Sequence, residues 1–181
     1  MRLLLIIIAL ILPCSAIARD AYYNANPKWK TEFNIDTHVR VKSTNKLNQH
    51  QTKLVKKTYE IAERKFLKFW NLRHNECRFQ PLEIKIVKHH NELDNRIYFP
   101  MERTYADKPG EGTEIIYGRY FAFHNALYIV PPYTSKYYWK KNFVHELTHY
   151  FFDECGIRFN NIEEEHIAVE RFVREYKRFF Y

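Results

Sequence analysis

Residues 140–156 read KKNFVHELTHYFFDECG. This stretch holds two histidines four positions apart, His145 and His149, with Glu146 directly after the first. Residues four apart lie on one face of an α-helix, so the two imidazoles can reach a single metal ion. Since each residue turns the helix by about 100°, Glu146 falls at the edge of the histidine face. From there its carboxylate can reach a water molecule activated by the ion.

The other side of this predicted helix is strongly apolar. On a helical projection the histidines lie across from the following residues: Phe143, Val144, Leu147, Tyr150 and Phe151. The helix is predicted over residues 135–154, ending at Gly156, since glycine is favoured just beyond helix C-termini. The apolar side should pack inward, so the histidine side is expected to border a cleft.

A last helix is predicted from Ile162 almost to Tyr181, and it begins with consecutive glutamates. Asn161 is a suitable N-cap, Glu164 three residues later completes a capping box, and Glu163 suits the positive helix start. Glu165 heads an apolar stripe formed by Ala168, Val169, Phe172, Tyr176 and Phe179. A buried carboxylate is costly unless a partner satisfies it. Glu165 is therefore predicted to be the third metal ligand.

Other residues compete with Glu165 for this role. Glu164 is its neighbour, His166 lies on an adjacent face as a surface or outer-sphere histidine, and Cys155 is a thiolate candidate. Cys155 can also pair with Cys77 in a disulfide, and the sequence leaves that pairing open. Without a metal, Glu165 would be explained by a buried salt bridge or a second capping role. The other charged residues of this helix are assigned to solvated faces: Glu163, Glu164, Glu170, Arg171, Arg174 and Glu175.

The rest of the chain predicts strands and a further helix. The pattern gives, in order, a half-buried strand at 32–41, a long amphipathic helix at 43–71, a strand at 82–87, a loop or lid at 88–114, and strands at 115–123 and 126–130. Neither repeats nor a linker between domains interrupt this order. Residues 19–181 are therefore expected to form a single α+β domain.

The first 18 residues are predicted to be a signal peptide. They combine a basic start at Arg2, an apolar run over 3–12 and a small-residue pattern ending at Ala18. This run is too short to span a bilayer comfortably, so no stable membrane span is expected after cleavage. The protein is predicted to be secreted or periplasmic.

The net charge of +8 comes from scattered lysines and arginines without an Arg-rich tract or a nucleic-acid-binding motif. Such a charge favours solubility and attraction to acidic surfaces. No nucleic-acid partner is expected.

The run HELTH, followed on a later helix by EEEHIAVE, resembles the gluzincin branch of the zincin metallopeptidases, whose pattern is HExxH…E. The resemblance implies a zincin-like fold: a small mixed sheet, a backing helix, the HExxH helix and a C-terminal glutamate helix. It implies Zn²⁺ as cofactor, with His145, His149 and Glu165 as ligands. Glu146 would be the general base of a peptidase acting on peptides or proteins. Residues 126–130 are expected to form the sheet edge that pairs with substrate.

The chain also departs from the family pattern. Glu165 follows His149 by 16 residues, a shorter spacing than in thermolysin. Val169 stands where the family has an aspartate that orients a zinc-binding histidine, so that carboxylate is missing or comes from elsewhere. The candidates for the family's electrophilic residue are Tyr133, Tyr137, Tyr138 and His166.

Two other functions fit the same residues. The first is a binding module that keeps a zincin fold without catalysis, with loop 88–114 covering the site. The second is a metal-free structural protein, in which His145 and His149 hydrogen-bond within a polar core. Zinc content and peptide hydrolysis distinguish these alternatives from an enzyme.

Overall fold

A computed structural model describes residues 28–87, 101–103, 114–116, 118–129 and 136–177 of the chain. Its elements are β1 (Thr31–Asn34), β2 (Val39–Ser43), α1 (Gln49–Phe69), β3 (Leu82–Ile86), β4 (Met101–Arg103), β5 (Glu114–Ile116), β6 (Gly118–Phe121), β7 (Ala126–Ile129), α2 (Lys136–Glu154) and α3 (Ile162–Lys177). This is the predicted α+β class. The predicted signal peptide lies outside the described residues.

Five of the strands form a mixed sheet in the order β1-β2-β3-β7-β6. The three central strands are parallel, and β1 and β6 run antiparallel to their neighbours. All four residues of β7 are buried, as expected for a strand paired on both sides. The prediction that 126–130 forms the sheet edge is therefore wrong. Within the described part of the chain, the strand that borders only β7 is β6.

The predicted single strand at 32–41 is a hairpin, because the chain turns between β1 and β2. The Asp36 carboxylate accepts hydrogen bonds from the backbone N–H groups of His38 and Val39, each at 2.8 Å. An aspartate that binds backbone two residues on stabilises a turn. Phe33 and Val41 then face each other across the pair. Alternation continues on both sides of the turn, which is why the hairpin reads as one strand.

Helix α1 begins later than the predicted residue 43, because Ser43 still belongs to β2. Its N-cap is Asn48, whose side chain accepts from Gln51 N–H while the Gln51 side chain accepts from Asn48 N–H, both at 2.9 Å. The buried face of the helix places Phe66 against aromatic rings of both later helices, including Phe151 and Phe172. The three helices thus share one aromatic core.

The two predicted helices that carry the site residues are confirmed. The predicted apolar face of α2 is fully buried: Phe143, Val144, Leu147, Tyr150 and Phe151. Helix α3 begins at Ile162, and the Asn161 side chain accepts from Glu164 N–H at 2.9 Å. The Glu164 carboxylate binds Asn160 instead of closing the predicted capping box. Residues 178–181 lie outside the described part.

The segment predicted as a loop or lid is described only in part. Met101–Arg103 forms β4 and pairs antiparallel with β5, so that short piece is a strand and not a loop. Among the described residues, no helix is both long and apolar enough to cross a membrane.

Candidate metal centre

Helix α2 presents His145 and His149 on the side away from its buried face. Their side chains are 20% and 15% exposed, so each ring is largely buried. Burial lowers the pKa of His145 to about 4, helped by the neighbouring His149. Burial also lowers the pKa of His149, against the opposing effect of Glu165. Both shifts favour the neutral imidazole, which is the form that binds metals.

Each histidine is held by a carboxylate from α3. The Nδ1 atom of His149 lies 2.5 Å from Glu165 Oε1, and the Nδ1 atom of His145 lies 3.2 Å from Glu170 Oε1. An ionised carboxylate can only accept, so we assign the ring proton to Nδ1 in both histidines. Their Nε2 atoms are then unprotonated. A carboxylate on the far nitrogen is the usual outer partner of a metal-binding histidine.

The two Nε2 atoms face each other at 3.4 Å. In this tautomer neither nitrogen carries a proton to donate, so two lone pairs stand opposed. A shared cation would turn this repulsion into two bonds. Nitrogen ligands about 2.0–2.1 Å from a tetrahedral zinc ion stand about 3.3–3.4 Å apart. The observed separation fits this requirement, and His145 and His149 fit zinc as a pair.

A third ligand does not converge on the same point. Within the described residues, no three His, Cys, Asp or Glu side chains are already arranged to hold a metal ion. The Glu165 carboxylate, predicted as third ligand, lies against the Nδ1 edge of His149 and not against Nε2. The His166 ring lies nearby, with its centre 5.6 Å from that of His145 and 5.1 Å from that of His149.

Two other candidate ligands are occupied elsewhere. Cys155 forms a disulfide with Cys77, which answers the pairing question and removes the thiolate. Glu164 is exposed, and its carboxylate accepts from the backbone and side chain of Asn160. Of the candidate electrophiles, His166 lies at the site, while the side chains of Tyr133, Tyr137 and Tyr138 lie outside the described part.

Glu146 points toward strand β6. Its Oε2 atom accepts a hydrogen bond from the backbone N–H of Tyr120 at 2.8 Å. Burial raises the pKa of Glu146 to about 7, while the Tyr120 N–H and the Arg119 charge act in the opposite direction. A carboxyl group with a pKa near 7 can take up and release a proton at neutral pH.

Gly118 makes room for this carboxylate. A Cβ atom at position 118 would lie 2.8 Å from Cγ of Glu146, closer than packed carbon atoms approach. The strand therefore passes Glu146 at a distance that a side chain at this position would prevent.

No family model, curated protein or solved structure matches this chain.

Sequence reasoning missed three residues of this site: Gly118, Tyr120 and Glu170. The sequence pattern places Glu170 on a solvated face, and its side chain is 42% exposed. Its carboxylate nevertheless contacts His145. Its position one helical turn after His166 was the available signal. The contacts of Tyr120 and Gly118 carry no such signal, because they depend on how β6 lies beside α2.

Proposed function

We propose that this chain is an exported zinc-dependent peptidase that hydrolyses amide bonds, with Glu146 as its general base. The observation that carries the proposal is the pair of Nε2 atoms, 3.4 Å apart, on rings whose Nδ1 atoms lie against carboxylates. Metal-free histidines at this distance would share a proton between their Nε2 atoms, whereas ring protons assigned to Nδ1 leave both Nε2 atoms as acceptors. Here both acceptor atoms are turned toward one point.

His145 and His149 would hold the ion together with a third residue, for which Glu165 is the sequence-based prediction. A bound zinc ion would supply Lewis acidity toward the substrate carbonyl and toward the attacking water. Glu146 would take the proton from this water and pass it to the leaving amine. The Tyr120 N–H donates to one oxygen of Glu146 and so holds the carboxylate in place. The other oxygen would accept the proton from the attacking water.

Strand β6 is the proposed place for an extended peptide. In the described part of the chain it pairs with β7 on one side only, and sheet edges accept added strands through backbone hydrogen bonds. Because Glu146 contacts Tyr120 and Gly118 of this strand, a peptide lying along β6 would pass beside the base. The proposed substrate class is therefore an extended peptide or protein segment.

The arrangement of elements supports a minimal zincin-like fold as part of this proposal. Helix α1 lies in the core with α2 and α3, the sheet has a single antiparallel strand beside the site, and α3 brings carboxylates to the histidines. This is the order that the gluzincin resemblance implies, with β6 in place of 126–130 as the substrate edge.

The test compares the mature wild-type protein with Glu146→Gln. Native purification of both should yield about one zinc per chain, and the variant should lose hydrolysis of a diverse peptide library by about 10²- to 10⁴-fold. Glu163→Gln serves as the matched control, since Glu163 is an exposed glutamate at the start of α3. Its activity should equal that of wild type.

The same experiment separates the two other functions. Stoichiometric zinc without hydrolysis of any library peptide would favour an inactive binding module. A protein that purifies without metal, and whose melting temperature is unchanged by a chelator, would be a metal-free structural protein. Either result would overturn the proposed activity.

A further inference from the structure

Three residues of α3 lie against the histidine pair of α2: Glu165, His166 and Glu170. Glu165 contacts His149 and Glu170 contacts His145, so the later residue of α3 meets the earlier residue of α2. The two helices therefore run in opposite directions at the site. His166 follows Glu165 directly and precedes Glu170 by one helical turn. Its side chain consequently lies beside both carboxylate–histidine pairs.

The three imidazole rings form a nearly equilateral triangle. The ring centres of His145 and His149 are 5.1 Å apart, and those of His166 lie 5.6 Å and 5.1 Å from them. Three imidazoles bound to one tetrahedral zinc ion through ring nitrogens would have centres about 5.2 Å apart. The ring positions thus match those of a three-histidine site.

Glu165 is poorly placed to be a ligand of the same ion. Its oxygen occupies the Nδ1 side of His149, whereas the Nε2 side of this ring faces His145. To coordinate between the Nε2 atoms, Glu165 would have to leave its hydrogen bond and deprive His149 of the partner that fixes its tautomer. Glu170 stands in the corresponding position on His145. The two carboxylates therefore act alike.

We propose that His166 is the third protein ligand of the metal site, and that Glu165 and Glu170 are positioning residues that orient His149 and His145. This inference rests on the proposed function, since it assumes that the histidine pair binds zinc. The donor atoms of the three rings do not yet converge, so His166 completes the site by turning its ring. Its exposed side chain leaves room for this rotation.

The test measures zinc affinity by competition with a chromophoric chelator for wild type, His166→Ala and Glu165→Gln. Loss of an outer partner typically weakens metal binding by about 10- to 100-fold, and this is the effect expected for Glu165→Gln. His166→Ala should weaken binding by more than about 100-fold, beyond that range. Ile167→Ala is the matched control, because Ile167 is 61% exposed on the same turn of α3.

Cobalt(II) substitution provides a second measurement, which would not change if His166 had only a structural role. The visible spectrum of the bound cobalt reports the ligand set. It should change in His166→Ala and remain that of wild type in Glu165→Gln. Circular dichroism of the metal-free variants checks that α3 is still folded.

The outcomes separate this inference from the proposed function. If wild type binds no zinc, both are overturned. If wild type binds zinc, His166→Ala matches it, and Glu165→Gln alters the cobalt spectrum, then Glu165 is the ligand and only the inference fails. A large loss of affinity with an altered spectrum in His166→Ala alone supports His166.

Discussion

At the scale of single residues, Gly118 decides how closely strand β6 approaches Glu146. A side chain at position 118 would collide with Cγ of this glutamate, and two residues later the Tyr120 N–H donates to the same carboxylate. One position therefore leaves space and the other supplies a donor. Together they hold the proposed general base against the strand that is proposed to bind the peptide.

Gly118→Ala should displace the Glu146 side chain and weaken its hydrogen bond to Tyr120. We expect a loss of about 1–3 kcal/mol in the free energy of unfolding, the usual cost of an overpacked contact. We also expect at least a tenfold fall in kcat, because a base moved by about 1 Å transfers its proton less effectively. Urea denaturation and peptide hydrolysis measure the two effects.

Gly156→Ala is the control for this change. Gly156 follows the C-terminus of α2 with φ of 66°, and a Cβ added there would have no heavy atom within 4 Å apart from those of Gly156 and its two chain neighbours. Alanine would be strained by its backbone conformation alone, at a cost of roughly 1–2 kcal/mol. Zinc affinity and kcat should stay at wild-type values. If both glycine variants lose activity equally, the close approach at Gly118 is not what positions Glu146.

At the scale of helices and strands, α1 and α3 offer a matched pair of N-caps. Asn48 and Asn161 each accept a hydrogen bond at 2.9 Å from the N–H three residues later. Of these two helices, only α3 carries residues of the candidate site. They begin within its first turn and a half. The same chemical change in the two caps therefore tests whether the order of this helix end matters to the metal.

Asn161→Ala and Asn48→Ala should each lower the free energy of unfolding by about 1 kcal/mol. Asn161→Ala should also weaken zinc binding several-fold, because fraying would loosen Glu165 and its neighbour. Asn48→Ala should leave zinc binding unchanged. Thermal denaturation and chelator competition provide the measurements. Equal zinc affinities in the two variants would show that the start of α3 does not support the site.

The helices were more predictable from sequence than the arrangement of strands. The apolar face of α2 and the start of α3 follow from local periodicity and capping, and both are confirmed. The sequence does not reveal the turn at Asp36, because apolar and polar residues alternate in the same way on both sides of it. The edge position of β6 depends on which distant strand pairs with which. Such pairing is decided by the whole sheet, and a local pattern carries little information about it.

The same distinction applies to the site. His145, Glu146 and His149 are recognisable because their spacing is itself the signal. The apolar stripe of α3 predicts Glu165 as a metal ligand. In the structure its carboxylate contacts His149. Which nitrogen it contacts could not be read from the stripe, since that depends on the distance and direction of α3 relative to α2.

At the scale of the whole molecule, a disulfide joins Cys155 at the end of α2 to Cys77 ahead of β3, across 78 positions of sequence. The same junction carries a hydrogen bond of 2.7 Å from Arg78 N–H to the Glu154 carbonyl. The Gln80 N–H also donates to the Glu154 carboxylate. The end of the helix that carries the histidines is thereby joined to the segment that leads into β3.

Replacing Cys77 and Cys155 together by serine should lower the free energy of unfolding by about 2–5 kcal/mol, because the closed loop is long. Urea denaturation with and without a reductant measures the loss. Reduced wild type should have the same free energy of unfolding as the double variant. The variant is the control, because it has no disulfide at these positions and a reductant should not change its stability. Equal stability of oxidised wild type and the variant would contradict a stabilising crosslink.

A second whole-molecule prediction concerns pH. Burial raises the pKa of Glu63 above the ordinary value of 4.5, although His74, 3.2 Å away, acts in the opposite direction. The stability that this carboxyl contributes is present below pH 4.5 and is lost as the pH rises through its folded-state pKa. Glu63→Gln should therefore lose less stability than wild type as the pH rises from 4.5 through the folded-state pKa of this carboxyl.

Denaturation curves across this pH range test the effect. Glu60→Gln is the control, because Glu60 is an exposed glutamate on the same helix. Its stability should follow the pH dependence of wild type. Parallel curves for wild type and Glu63→Gln would show that the carboxyl is not destabilised by its surroundings.

The crosslink at the end of α2 has a consequence for when the protein matures. Disulfides form in oxidising compartments and are rare in the reducing cytosol. If the chain is exported as proposed, the crosslink between the end of α2 and the segment that leads into β3 is completed only after export. The end of the helix that carries the histidines would then reach its crosslinked form only in an oxidising compartment. Reduced protein should then bind zinc more weakly than oxidised protein, and equal affinities would disprove this sequence of events.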